Sequence, residues 1–69
     1  MYALIDPMRN AVIRVGETSE ELRPDWLPGR DIVTFTYPDA TPPNGKRLLR
    51  WVYTLSGATV TATPEFVNL

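Results

Sequence analysis

The chain has 69 residues, 43% of them hydrophobic and 22% charged, with a formal net charge of −1. These proportions suit a single small soluble domain over residues 1–69, and they give no field that steers a protein to nucleic acid or to an anionic membrane. There is no cysteine or histidine. Disulfides and thiolate or imidazole metal sites are therefore excluded, and so short a chain holds its core unaided or completes it against neighbouring chains.

The first predicted elements form a β-hairpin. Tyr2, Ala3, Leu4 and Ile5 are a short apolar strand, Asp6, Pro7 and Asn10 supply turn chemistry, and Val12, Ile13, Arg14 and Val15 are the return strand. A chain that starts inside its own sheet is expected to carry no signal peptide. No apolar run approaches the roughly 20 residues that span a bilayer, so no membrane partner is expected.

Residues 16–29 are acidic, with Glu17, Glu20, Glu21 and Asp25. Thr18 followed by Glu21 has the spacing of a capping box, and Pro24 limits any helix here to one turn. This predicts an irregular or one-turn helical segment near residues 18–27, with Leu22, Trp26 and Leu27 plugging the open end of a sheet.

Residues 31–37 form the clearest strand, with Val33, Phe35 and Tyr37 facing inward. Residues 38–45 are a long turn ending in Asn44-Gly45, a hairpin signal. The partner strand covers residues 48–55 with Leu49, Trp51, Tyr53 and Leu55 on one face. After Ser56-Gly57, residues 58–63 alternate Ala58, Val60 and Ala62 with threonine. Pro64 is expected to end that strand, leaving Phe66 and Val67 to fold back or reach a neighbour.

The fold class is therefore all-β: a small antiparallel meander of about five strands, either an open sheet or a small barrel. The predicted core is Leu4, Ile13, Val15, Val33, Phe35, Tyr37, Leu49, Trp51, Tyr53 and Val60. No charge lies between Arg50 and Glu65, so the last strand is poorly protected against pairing with another chain.

Catalytic chemistry finds no support. Ser19 and Ser56 are the only serines, neither lies in a nucleophile elbow, and no histidine can serve as base. The carboxylates Glu20, Glu21, Asp25 and Asp31 read as a solvated acidic loop, without Ca²⁺-loop spacing. No cofactor is expected. Lys46, Arg47 and Arg50 lie beside Trp51 and Tyr53, as in OB-like domains that hold single strands. Alternation places Arg50 opposite the aromatics, and the acidic balance argues the same way, so nucleic acid is not expected as a partner.

Protein–protein contact has positive support. Trp26, Trp51, Tyr2, Tyr37, Tyr53, Phe35 and Phe66 exceed the obvious needs of one small core, and Trp, Tyr and Arg are the residues that most often anchor interfaces. Trp26 and Leu27, with Arg30 as a rim contact and Phe66 and Val67 near the end of the chain, are the candidate interaction residues. A lid over the core is the competing role for Trp26.

The opening Tyr2-Ala3-Leu4-Ile5-Asp6-Pro7, with Asn10 and the strand Val12-Ile13-Arg14-Val15, resembles the start of small accessory proteins of tailed bacteriophages. The resemblance covers roughly a fifth of the chain. It implies a non-enzymatic structural protein of a capsid, neck, tail or baseplate, whose partners are virion proteins or copies of itself. It implies a location in the virion or in the cytoplasm of an infected host. The alternative from the same setting is a free inhibitor of a host enzyme or defence complex. An OB-like nucleic-acid binder is the third reading.

Overall fold

Five antiparallel strands form two sheets in the computed structural model, which describes residues 1–69. Strands β1 (Tyr2–Asp6), β2 (Ala11–Gly16) and β3 (Asp31–Thr34) make the first sheet in the order β2-β1-β3. Strands β4 (Lys46–Ser56) and β5 (Thr59–Asn68) make the second. A 3₁₀ segment, Glu20–Asp25, lies between β2 and β3. The sheets do not close into a barrel.

The chain composition dictates which strand is central. β1 is the only strand buried on both faces, and Ala3, Leu4 and Ile5 are fully inaccessible. Ala3 and Ile5 join Phe35, Leu55, Val60 and Ala62 in the core between the sheets. Leu4 points to the opposite face, on the side of the other fully buried leucine, Leu22 of the 3₁₀ segment. The Thr18 hydroxyl accepts the Glu21 N–H at 3.3 Å, and the Glu21 carboxylate accepts the Glu17 N–H at 3.4 Å. Half of the expected capping box thus forms, while its return bond lands one residue early. The helical segment runs two tight turns rather than one and contains Pro24. The i→i+3 bonds Leu22 N–H to Ser19 C=O (3.1 Å) and Trp26 N–H to Arg23 C=O (3.0 Å) bracket the proline without needing its missing donor.

Two bulges correct the predicted core. In β2, Leu4 pairs with Arg14 and Ile5 with Val12, so Ile13 has no opposite residue. In β4, Leu48 pairs with Phe66 and Arg50 with Glu65, so Leu49 is the extra residue. Each bulge turns two successive side chains outward and shifts the inward phase by one. Val12 therefore packs on the core in place of Ile13, and half-buried Leu48 turns to the inner face in place of Leu49 outside the core cluster, while Ile13 and Leu49 are 39% and 46% exposed. Leu4, Phe35 and Val60 are buried as expected, whereas Val15, Val33, Tyr37, Trp51 and Tyr53 are half-buried at its margin.

Regular β3 ends at Thr34, but Phe35 still donates its N–H to the Met1 carbonyl at 3.0 Å. Beyond it, Asp39 accepts both the N–H (3.0 Å) and the hydroxyl (2.8 Å) of Thr41. These bonds stabilise the carboxylate and hold its pKa below the ordinary value.

Pro64 does not end the last strand, which runs to Asn68 with Phe66 and Val67 inside it. Ser56 and Thr59 flank a two-residue turn, so they form a hydrogen-bonded pair and set the parity of β5. Counting onward, the nitrogen of Pro64 faces away from β4. The proline removes no ladder bond, as an edge strand allows. The long β4–β5 ribbon makes the molecule elongated, 44 × 22 × 15 Å.

Candidate interaction surface around Trp26

Local sequence builds a closed loop between the 3₁₀ segment and β3. In Leu27-Pro28-Gly29-Arg30 the Arg30 N–H donates to the Leu27 carbonyl at 3.0 Å, and Gly29 has φ of 90°. Proline followed by a left-handed glycine is the signature of a type II turn. The turn brings Arg30 back beneath Trp26. The indole Nε1–H donates to the Arg30 carbonyl at 2.8 Å, and the Arg30 guanidinium donates to the Asp25 carbonyl at 2.8 Å. Arg14 of β2 ties the Asp25 carboxylate at 2.7 Å. That ion pair is half exposed and contributes at most about 1 kcal/mol, so its role is to position the loop.

The result is a ridge held by its own hydrogen bonds with apolar side chains outward. Trp26 is 49% exposed and Leu27 54%. An open hollow of ≈ 540 Å³ on one side is lined by Tyr2, Ser19, Arg23, Trp26 and Ile32. A second, of ≈ 400 Å³, lies against Leu27, Pro28, Gly29 and Arg30 and is walled by Asp6, Met8 and Arg9 of the first hairpin. Met8 is 93% exposed. The two hollows flank the ridge, with Arg23 at the rim of the first and the Arg9–Asp6 ion pair, at 3.8 Å, walling the second.

Trp26 is half exposed rather than sealed inside, and its polar N–H is already satisfied. The structure joins Trp26, Leu27 and Arg30 in one loop. It does not join them to Phe66 and Val67, which are half-buried in β5 opposite Leu48 and Arg47. Residue order marks Tyr2 only as one of several surplus aromatics and does not mark Ile32, Met8 or Arg9, because their strands and turn meet the ridge only in three dimensions. Met8, an apolar residue in an otherwise polar turn, was the one available signal.

The cationic strand is arranged differently. Arg50 binds Glu65 side-on, at 3.2 and 3.4 Å, on the face opposite Trp51. Trp51 instead packs on Tyr37 with ring centroids 4.6 Å apart. Lys46 and Arg47 remain exposed without an aromatic platform beside them. No helix is long and apolar enough to cross a membrane. No family model, curated protein or solved structure matches the chain.

Proposed function

We propose that this chain is a non-enzymatic interaction protein that docks on another protein through the Trp26–Leu27 ridge. The observation that carries the reading is the half-exposed Trp26 whose indole N–H is bound within its own loop. A partner covering it buries a large apolar ring without having to supply a hydrogen bond, and the loop loses little entropy on binding. The resemblance of the first fifteen residues supplies the setting: an accessory component of a bacteriophage particle, repeated on a lattice so that modest contacts add up.

Sedimentation of a native lysate, with the protein followed by mass spectrometry, tests the setting. Travel with large particles at a fixed ratio to their major proteins supports an accessory component. Residence among small species, bound to one host protein, supports a free inhibitor instead. The ridge itself is tested by Trp26→Ala. Loss of co-sedimentation or capture with the fold intact by circular dichroism supports docking there. Lowered stability with partner capture unchanged makes Trp26 a lid and removes the ridge as the site.

A further inference from the structure

A turn that takes no part in the ridge leads into the β4–β5 ribbon, at the end where β4 begins and β5 finishes. In Pro43-Asn44-Gly45-Lys46 the Lys46 N–H donates to the Pro43 carbonyl at 3.0 Å, and Gly45 has φ of 79°. A left-handed glycine at the third position of a hydrogen-bonded turn is the type II pattern. The end of β5 ties this turn down, because the Leu69 N–H donates to the Gly45 carbonyl at 2.9 Å.

The peptide unit between Asn44 and Gly45 is left free. Neither the Asn44 carbonyl nor the Gly45 N–H makes a hydrogen bond within the chain, and both residues lie outside the strands. The Asn44 carboxamide has no partner either, although asparagine in a turn commonly binds nearby backbone. Both residues are exposed, and nothing crowds Gly45 on the side where a Cβ would stand. Rotating this peptide plane changes the φ of Gly45, which glycine tolerates at either sign. The rotation leaves the Lys46–Pro43 and Leu69–Gly45 bonds in place, since neither uses a group of that plane. The carboxamide carbon and the Gly45 nitrogen, already held in one chain, are thus free to meet.

We propose that Asn44 is a site of spontaneous deamidation, which remodels this end of the ribbon. The Gly45 nitrogen gives its proton to solvent base and attacks Asn44 Cγ. The bond from Cγ to the amide nitrogen breaks, and ammonia leaves with a proton returned from water. The product is a five-membered succinimide, which water then opens. Attack at Cγ restores the original main chain and leaves aspartate. Attack at the main-chain carbonyl leaves isoaspartate, whose main chain runs through Cγ and is one carbon longer. That extra carbon breaks the closure of Lys46 onto Pro43. Either product adds a negative charge next to Lys46 and Arg47, which form no ion pair, and takes the formal net charge from −1 to −2.

The other two asparagines are held differently. Asn68 precedes Leu69, whose nitrogen is committed to the Gly45 carbonyl. Asn10 precedes Ala11, which is in register with Asp6 in the first hairpin. Both following residues carry side chains that crowd the attacking nitrogen.

The test is incubation of the full chain at neutral pH over several weeks, followed by tryptic mass spectrometry. Trypsin places the three asparagines in separate peptides, residues 10–14, 31–46 and 51–69. Peptide 31–46 is expected to gain about one dalton, at a rate about tenfold or more above the other two. Its product is expected to contain isoaspartate as well as aspartate. Asn44→Gln, which would have to close a less favourable six-membered ring, abolishes the gain. Hydrogen exchange by NMR is expected to show faster Lys46 and Leu69 amides in the isoaspartate form. Asn44→Asp carries the same charge without the added carbon and keeps both amides as in the wild type. Conversion of Asn44 no faster than that of Asn10 and Asn68 overturns the proposal. A product of aspartate alone does so as well, because a succinimide gives both. Unchanged Lys46 and Leu69 amides in the isoaspartate form overturn the remodelling. If Asn44→Gln does not fold, the ranking of the three wild-type peptides decides. No partner is needed for any of these readings, so their failure is separate from failure of the ridge.

Discussion

The phenol oxygens of Tyr37 and Tyr53 lie 2.7 Å apart, joining the chain that follows β3 to the inward face of β4. Their rings meet at 6.3 Å and 64°, edge to face, and Phe35 contacts both in the same manner. This is a polar tie between two sheets that share no ladder. Tyr53→Phe keeps the ring and removes the tie. Its expected cost is about 1 kcal/mol, seen as a fall in Tm of about 4–8 °C for a domain this small. A change of under one degree in thermal denaturation shows that the hydroxyl pair contributes nothing.

The same pair sets an alkaline limit. Burial, followed by the hydrogen bond and charge interaction with Tyr53, raises the Tyr37 pKa from 10.0 to about 12. The folded state therefore holds the phenol proton more tightly than the unfolded state. That contribution is complete below pH 10 and is lost as pH rises from about 10 to 12. Absorbance titration near 295 nm is expected to show Tyr37 ionising late, and in Tyr53→Phe that step moves to lower pH. A late tyrosine unaffected by that substitution sinks the assignment.

The bulges make a paired prediction. Ile13→Thr and Leu49→Thr change exposed positions and are expected to alter stability by no more than about 0.5 kcal/mol. Val12→Thr and Leu48→Thr place a hydroxyl against the inner face and are expected to cost about 1–3 kcal/mol. Urea denaturation of the four variants decides, and the opposite ranking means that the strands run in unbroken alternation.

Leu22 is the only buried residue of the 3₁₀ segment. Leu22→Ala is expected to cost about 3 kcal/mol, because the cavity adds to the lost burial. Leu27→Ala, five residues on and half exposed, is expected to leave stability within about 0.5 kcal/mol. Equal losses in chemical denaturation indicate that the ridge is part of the core.

Gly29 sits at φ 90° with open space around its Cα. Gly29→Ala therefore meets no clash, and its expected cost of about 1 kcal/mol is backbone strain alone. Urea denaturation measures that cost, and an unchanged stability in Gly29→Ala shows that the left-handed conformation is not required at this turn.

Much of this architecture is legible in residue order. The alternation of Val33, Phe35 and Tyr37, the glycine and proline punctuation, and the threonine-rich last strand point to short antiparallel strands because each is a local preference with a period of two. The turn around Pro28 and Gly29 is readable for the same reason. Three other features are not local. The bulges at Ile13 and Leu49 depend on what the opposite strand places in register, and one extra residue inverts the face of all that precedes it. Pro64 lies inside β5 because its nitrogen points to the side where no strand pairs, and parity across a ladder cannot be read from one strand.

The sequence by itself determined that this is an all-β chain without disulfide or imidazole chemistry, because turn geometry and residue chemistry belong to the residues themselves. Only the tertiary structure decided that Trp26 stands half exposed between two hollows, and that Val60 and Ala62 of β5 are buried in the core between the sheets. Those outcomes depend on how two sheets pack, and packing is settled between strands distant in the chain rather than within any one of them.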